Sequence, residues 1–150
     1  AAGQTITICS WMRLDNIIGG LQAVVQKGAG AKFNYGLQVL NNEFDFFFMD
    51  TSLLTRYQVA DILQANEWTH VAFTYTFANA LSAKMYINGV MINGSWVQGN
   101  GDNSPPAENS TLIMGTNSFS EHFDGLIDDV RIYKRALSAE EISRLYQMGR

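Results

Sequence analysis

The sequence predicts an all-β protein, an antiparallel two-sheet β-sandwich of the jelly-roll type with a short C-terminal helix. Apolar and polar residues alternate with a period of two along most of its 150 residues, which is the pattern of strands with one buried face. Two pairs, Asn41-Asn42 and Asn88-Gly89, separate alternating segments and favour the tight turns of β-hairpins. Many short strands joined by such turns indicate two packed sheets in a single domain spanning residues 1–150.

The predicted strands are short and follow one another without a linker between them. They are Thr5–Met12, Leu21–Gln26, Tyr35–Leu40, Phe44–Met49, Trp68–Thr76, Lys84–Ile87, Val90–Ile92, Thr111–Gly115 and Gly125–Tyr133. We expect Lys27–Gly30 to close the second strand, and a loop rich in Gly, Asn and Ser to run from Asn93 to Asn109. The predicted core positions are Trp11, Trp68, Val71, Phe73, Ile87, Val130 and Ile132.

The last segment changes from a strand pattern to a helix pattern. Ser138 and Glu141 form a capping box, in which the serine hydroxyl accepts from the Glu141 amide while the Glu141 carboxylate reaches back. Leu137 and Ile142 occupy the two positions of a hydrophobic staple. These signals predict a helix that extends to about Met148.

The charge and the cysteine content exclude several classes of function. Fourteen acidic and ten basic residues give a net charge of −4, and no basic cluster is present, so binding to a nucleic-acid backbone is not expected. No apolar run approaches the ~18 residues of a transmembrane helix, so insertion into a membrane is not expected. The single cysteine, Cys9, forms no intrachain disulfide and is predicted to be a buried, inert thiol.

Four segments resemble one known family when they are taken in order. They are Thr7–Met12, Trp68–Tyr75, Met85–Gly89 and Phe123–Tyr133, the last continuing to Ile142. In this order and spacing the chain is similar to the laminin-G-like jelly-roll domains of the concanavalin A-like lectin/glucanase superfamily.

This resemblance has implications beyond the fold. Family members usually have further strands ahead of the Ser10-Trp11 segment, and none is predicted here, so we expect either a fragment or a minimal version of the domain with a bare sheet edge. An exposed sheet edge would result, and such an edge invites pairing with a second copy, so the resemblance implies a homo-oligomer. It favours an extracellular or cell-surface location. It does not decide function, because the superfamily contains lectins, glucanases, adhesion modules and spacers.

The favoured function is a non-catalytic module that binds a carbohydrate or a glycosylated partner through its end loops. Sugar recognition combines an aromatic ring that stacks on the sugar with polar groups that bond its hydroxyls. Trp96 lies in the predicted loop together with Asn100, Asp102 and Asn103. The alternative is that Trp96 caps the end of the sandwich.

Two further residues, Tyr57 and His122, are weaker candidates for the same ligand site. A second hypothesis, from another class of function, is a structural or adhesion unit whose only ligand is protein, including its own copy.

A structural calcium ion is implied by the resemblance alone. The run from Asp128 to Tyr133 is similar to the strand on which related glucanases place an aspartate that binds calcium. Asp128 would be the ligand, with Asp129 as the alternative. The other interpretation is that one aspartate meets solvent while the other pairs with Arg131 or a neighbouring strand.

A glycoside hydrolase is the least favoured hypothesis. Glu43-Phe44-Asp45 resembles the start of the Glu-x-Asp-x-x-Glu motif of family 16 glycoside hydrolases, and residues 43 and 45 share one face of a strand. Phe48 stands where that motif places its second glutamate. The simpler interpretation is therefore a strand whose aromatic residues face inward and whose acidic residues face outward. His70 and His122 are isolated and predict neither a zinc site nor a catalytic triad.

Overall fold

The computed structural model of the protein describes residues 2–29, 32–50, 53–60, 62–107 and 109–149. Within these residues the elements are β1 (Thr5–Leu14), β2 (Leu21–Ala29), β3 (Lys32–Leu40), β4 (Glu43–Asp50), β5 (Leu53–Val59), β6 (Trp68–Thr76), β7 (Lys84–Ile87), β8 (Val90–Ile92), β9 (Ser95–Gln98), β10 (Leu112–Met114), β11 (Gly125–Tyr133) and α1 (Ala139–Met148). They form a five-stranded antiparallel sheet in the order β11-β1-β6-β7-β8 and a six-stranded antiparallel sheet in the order β10-β2-β3-β4-β5-β9. The predicted sandwich with a short C-terminal helix is confirmed.

The two sheets meet at a cluster of aromatic rings that we call the aromatic seam. It consists of Phe44, Phe46 and Phe48 of β4 with Phe73 and Tyr75 of β6, all fully buried. Phe46 stacks on Phe73 with 4.2 Å between ring centroids, and Phe48 stacks on Tyr75 at 5.8 Å. Because side chains alternate along a strand, the residues between these rings face away from the core.

Both predicted hairpin turns are present. Asn41 and Asn42 have φ angles of 50° and 69°, and Asn88 and Gly89 have φ angles of 50° and 78°. Positive φ at both central residues is the requirement of a type I′ turn, which asparagine and glycine meet at low cost.

Three strands differ from the sequence-based expectation. The predicted end of β2 at Gln26 is wrong, because the strand continues through Gly28, where a shift in register and a φ of 101° mark a β-bulge. Strand β5 was not predicted at all. Strand β9 lies inside the segment predicted to be a loop from Asn93 to Asn109, and it pairs with β5 at the edge of the six-stranded sheet.

The N-terminus of helix α1 has the predicted capping box. The Ser138 hydroxyl accepts from the Glu141 amide at 3.2 Å, and a Glu141 carboxylate oxygen accepts from the Ser138 amide at 2.9 Å. Leu137 and Ile142 are both buried in one small cluster, as the hydrophobic staple requires. Within the described part of the chain, no helix has the length and apolar character needed to cross a bilayer.

Helix α1 covers part of the outer face of the five-stranded sheet. Thr7 positions the segment that leads to it, because its hydroxyl donates to the Arg135 carbonyl at 2.6 Å and accepts from the Leu137 amide at 3.0 Å. Cys9 lies beneath the helix, and burial raises the pKa of its thiol to about 11. The prediction of a buried, inert thiol is therefore confirmed.

The core prediction is wrong for Trp68, which is 44% exposed. In β6 the inward positions are Val71, Phe73 and Tyr75, so Trp68 falls in the opposite phase, across from Arg13 on the outer face. The strand pattern alone indicated two faces but did not show which one meets the other sheet.

Of the remaining predicted core residues, four are buried, although not all in the same place, and Val130 and Ile132 are only partly buried. Val71, Phe73 and Ile87 belong to the central core, and Val130 and Ile132 pack against it. Trp11 is 8% exposed, but it lies on the outer face with Tyr146 of the helix, at 5.6 Å between ring centroids.

Strand β11 is the longest edge strand in the described part of the chain. Its pairing with β1 is interrupted by a bulge opposite Cys9–Trp11, and it carries the charged residues Asp128, Asp129 and Arg131. Bulges and charges are common devices against edge-to-edge pairing. Self-association through a sheet edge stays a prediction that the structure of one chain does not test.

The aromatic seam yields the first testable prediction. Phe46 is fully buried and stacked on Phe73, so Phe46→Ala should lower the free energy of unfolding by about 3–5 kcal/mol. Chemical denaturation measures this loss. Leu81→Ala is the control, because Leu81 is 95% exposed and should change stability by less than about 0.5 kcal/mol. A loss below about 1 kcal/mol in Phe46→Ala would show that the seam does not hold the sheets together.

His70 yields a prediction about acid sensitivity. Its ring packs against Trp11 at 5.4 Å and Tyr146 at 6.2 Å, and burial lowers its pKa from 6.5 to about 4, a shift that Asp129 opposes and Arg131 reinforces. Between these two pH values the unfolded chain binds a proton that the folded chain does not bind. The free energy of unfolding should therefore fall by up to about 3 kcal/mol as the pH drops from 6.5 to 4.

The test compares wild type with His70→Gln in urea denaturation at several pH values. His70→Gln should lose this part of the pH dependence, while His122→Gln, which removes an exposed histidine, should keep it. Parallel pH profiles for wild type and His70→Gln would contradict the prediction.

Candidate functional site

Strand alternation gathers a polar network on the outer face of the six-stranded sheet. Asp45 of β4 lies between Gln38 of β3 and Gln58 of β5 in the strand register. Its Oδ2 accepts from Gln38 at 3.1 Å and from the Arg56 Nε at 3.0 Å, and its Oδ1 accepts from Gln58 at 2.9 Å. Both carboxylate oxygens are therefore hydrogen-bonded.

The buried position of this network affects its electrostatics. Asp45 has no exposed surface, and it forms an ion pair with the Arg56 Nη2 at 2.8 Å. Burial raises the pKa of Asp45 above its ordinary value, while the hydrogen bonds and the charge of Arg56 oppose that rise. The network fixes the Arg56 guanidinium, which keeps some exposed surface at the bottom of a groove.

A loop between β10 and β11 stands over this face and encloses the groove. Asn117 organises the loop, because its side-chain oxygen accepts from the amides of Phe119 and Glu121 at 2.9 and 3.0 Å. Its amide nitrogen donates to the Glu121 carboxylate at 2.6 Å. The loop thereby holds the Phe119 ring 62% exposed.

The groove has an aromatic wall and a floor on which a few fixed polar groups lie among leucine side chains. Phe119 packs edge-to-face on Phe33 at 5.9 Å, and Phe33 packs in the same way on Phe47 at 5.8 Å. The Phe47 ring lies over Gly36, where a Cβ would overlap it, so the glycine makes room for the ring. The enclosed volume is about 210 Å³, lined on its polar side by groups that include Gln38, Arg56 and Glu121.

The fold agrees with a comparison to known protein families. A family model of laminin G type, described as the concanavalin A-like lectin/glucanases superfamily, matches residues 1–143. The chain belongs to this superfamily. The resemblance found in the four sequence segments is thus confirmed.

Solved structures of similar fold are toxin binding domains. The chain is similar to the botulinum neurotoxin serotype G binding domain (18% identity, TM-score 0.71), to the receptor binding domain of the C/D mosaic serotype (16%, 0.75) and to the serotype D binding domain (15%, 0.72). In each case 97% of this chain is covered but only 36% of the other chain. The chain spans about a third of those domains, and at these identities the likeness concerns the fold.

Comparison with curated proteins by sequence gives no significant match. The superfamily contains proteins of many functions, so the function of this member has to be argued from its own surface.

Trp96 does not lie in a loop of this superfamily domain. It belongs to β9 and points inward, with ring centroids 5.2 Å from Tyr57 and 5.3 Å from Tyr75. Its indole Nε1 donates to the Ala80 carbonyl at 3.3 Å. The alternative in which Trp96 caps the sandwich is therefore the arrangement found, and a role in ligand binding stays a prediction.

The predicted polar neighbours of Trp96 form a compact loop at this end of the sandwich. The Asn100 side chain accepts from the Asp102 amide at 3.1 Å, and the Asp102 carboxylate accepts from the Ala80 amide at 3.3 Å. Gly101 lies against the Trp96 ring, where a Cβ would overlap the indole. The carbonyl of Asn103 accepts from the Ala78 amide at 3.0 Å. These groups support one another, and the loop seals the ring that was expected to receive a ligand.

The structure unites two of the predicted ligand residues and separates a third. Tyr57 is buried against Trp96, and its hydroxyl accepts from the Gly94 amide at 3.1 Å. His122 pairs with Thr116 just after β10, which is the opposite edge of the six-stranded sheet from β9. Five strand spacings put the two edges roughly 24 Å apart. His122 therefore does not share one site with Tyr57 and Trp96.

The carboxylates proposed for calcium do not fit the ion. Both oxygens of Asp129 bond to Arg131, each at 2.9 Å, and one oxygen of Asp128 accepts from the Asp129 amide at 2.7 Å. Calcium binds six to eight oxygens. No group of three or more acidic, histidine or cysteine side chains among the described residues is placed to hold a metal. Calcium stays a prediction of the resemblance.

Glu43 and Asp45 share one face of β4, as the sequence predicted, but they do not form a glycosidase pair. Asp45 is fully buried and its oxygens are saturated, while Glu43 accepts from Gln58 at 2.8 Å. A retaining glycosidase needs two carboxylates that can reach one sugar. The simpler interpretation, with aromatic residues inward and acids on the outer face, is the arrangement found, and Gln38 and Arg56 bury Asp45 on that outer face.

The residues of the groove were missed in the sequence. Gln38, Arg56 and Gln58 have the same strand phase as Asp45, but this was not visible while β5 was unrecognised. Phe119 stands as an isolated aromatic residue in a polar segment, which is a signal that could have been used.

The calcium question can be decided by thermal unfolding. Because Asp129 is held by Arg131, we expect the Tm to be the same in millimolar calcium and in EDTA. A site occupied at one hundred times its Kd would add about 2.7 kcal/mol, which is a rise of several degrees. Asp128→Asn and an equal concentration of magnesium serve as controls. A rise in Tm specific to calcium and absent from Asp128→Asn would establish the site.

Proposed function

We propose that the domain is a non-catalytic binding module that holds a carbohydrate group in the groove on the outer face of the six-stranded sheet. One observation carries the proposal: Phe119 is 62% exposed and stands beside a floor of fixed polar groups. An exposed aromatic ring held by an ordered loop is the usual partner of a sugar ring.

The chemistry of the groove matches the two kinds of surface that a sugar presents. The apolar face of a pyranose can lie on the Phe119 ring, and its hydroxyls can meet both donors and acceptors. Arg56 and Gln38 supply donors, and Glu121 supplies an acceptor. The Asp45 network and Asn117 hold these groups in place, so little ordering would be needed on binding.

The size of the groove limits the ligand. Its volume of about 210 Å³ is below the 300–1,000 Å³ of sites for drug-sized molecules. The groove thus suits a single ring, such as a terminal sugar of a glycan or of a glycosylated partner.

Two observations support a binding module without catalytic activity. The carboxylate that could act on a glycosidic bond, Asp45, is buried and saturated by hydrogen bonds. The similar solved structures are named as binding domains, one of them a receptor binding domain. These names belong to those proteins, and they favour binding over turnover here.

A glycan array with matched variants tests the proposal. Wild type should bind a terminal sugar, and Phe119→Ala should weaken that binding by about tenfold, since a stacked ring contributes about 1 kcal/mol or more. Trp68→Ala removes an exposed aromatic residue on the other sheet and should leave binding unchanged. Circular dichroism checks that each variant is folded.

A third variant examines the end loop. Asp102→Asn keeps the acceptor for the Ala80 amide but removes the charge near Trp96. Loss of binding in Asp102→Asn with none in Phe119→Ala would move the site to the end loop. A blank array for wild type would refute carbohydrate binding and favour the structural or adhesion hypothesis.

A further inference from the structure

A second concave surface lies on the opposite side of the sandwich, and we call it the outer cleft. It occupies the outer face of the five-stranded sheet beside the C-terminal end of α1 and encloses about 710 Å³. Its lining residues are Trp11, Trp68, Asp128, Asp129, Tyr146 and Gly149. None of them takes part in the groove on the six-stranded sheet.

Three aromatic side chains form the apolar part of the outer cleft. Trp11 and Tyr146 are nearly parallel, with ring centroids 5.6 Å apart and 26° between the planes. Trp68, 44% exposed, reaches the same cleft from β6. Trp68 is the most exposed of the three rings, and the face of its indole is an electron-rich surface of the kind that attracts cations.

The acidic part of the outer cleft arises from the bulge in β11. Opposite Cys9–Trp11, β11 accommodates one extra residue, and Asp129 there has a φ of 50°. Asp129 is neutralised by Arg131, since the two form a salt bridge at 2.9 Å. Asp128 lies across from Trp11 and forms no ion pair with any described residue, so within the described part of the chain its negative charge is not compensated.

The hydrogen-bonding groups of the outer cleft distinguish the kind of ligand. The charged groups that line it are carboxylates, which only accept hydrogen bonds. The indole Nε1 of Trp11, a donor, is buried and has no partner among the described residues. A sugar would need donors as well as acceptors, whereas a cation needs only aromatic faces and a counter-charge.

We propose that the outer cleft binds a quaternary ammonium group, with the exposed Trp68 ring as its main aromatic contact, the stacked Trp11 and Tyr146 beside it, and Asp128 as its counter-charge. A quaternary ammonium carries no N–H and is weakly hydrated, so it needs no set of acceptors. The compact ammonium of lysine is strongly hydrated. It would lose more hydration free energy than a quaternary ammonium on entering a site that offers one free carboxylate. Free choline and the headgroup of a choline lipid share the recognised chemistry.

NMR titration with tetramethylammonium and with choline provides the test. The indole N–H signals of Trp68 and Trp11 should shift in a saturable manner, and that of Trp96, which lies at the end of the other sheet, should not. The neutral analogue 3,3-dimethylbutanol, which has the shape of choline without its charge, should bind at least about tenfold more weakly.

Matched variants test which carboxylate and which aromatic ring bind the cation. Asp128→Asn keeps the acceptor for the Asp129 amide and removes only the charge, and it should weaken choline binding by about tenfold. Trp68→Ala should weaken choline binding by a similar factor, measured from the shift of the Trp11 indole N–H signal. Asp102→Asn and Phe119→Ala should bind choline as wild type does, so failure of the sugar groove and failure of the outer cleft are distinguishable.

Vesicle sedimentation separates the two sources of the cation. Binding to phosphatidylcholine vesicles that is lost in Trp68→Ala would identify the lipid headgroup, and choline binding without vesicle binding would identify the free cation. Equal affinity for choline and 3,3-dimethylbutanol, an unaltered affinity in Asp128→Asn, or the absence of any saturable shift at Trp11 and Trp68 would overturn the proposal.

Discussion

Each strand of this sandwich has only two faces, and the aromatic seam between β4 and β6 occupies one face of each sheet. Phe46 stacked on Phe73 fixes which phase of these strands is inward. The residues of the other phase must then lie on an outer face, whatever their chemistry. Asp45 and Arg56 are brought together on one outer face in this way, and Trp11 and Trp68 on the other. Both candidate sites therefore depend on the packing of the core.

The two outer faces offer different chemistry because they are covered by different elements. A loop held by Asn117 stands over the six-stranded sheet and leaves a small groove with donors and acceptors. Helix α1 covers part of the five-stranded sheet and leaves a wide cleft with aromatic rings and carboxylates. A hydroxyl-rich ligand suits the first surface and a cation suits the second. One domain can thus present two independent recognition surfaces.

Local signals explain why so much of the fold was predictable. The turns at Asn41-Asn42 and Asn88-Gly89 and the capping box at Ser138 depend on contacts within a few residues, and all three are present. Strands β5 and β9 were missed because they are stabilised by pairing with each other and with β4. For β9 this pairing involves residues distant in sequence, and a short segment next to glycines and asparagines does not indicate it.

By itself the sequence determined the class of fold, the superfamily, most strands, the hairpins and the helix, because period-two alternation and turn chemistry act locally. Only the tertiary structure decided which phase of each strand is buried. That choice placed Trp96 against the core rather than on a rim, exposed Trp68, and assembled the groove and the outer cleft from residues far apart in sequence. The physical reason is that a strand carries the same alternation whichever face it buries, and the face is chosen by the sheet and the helix that pack against it.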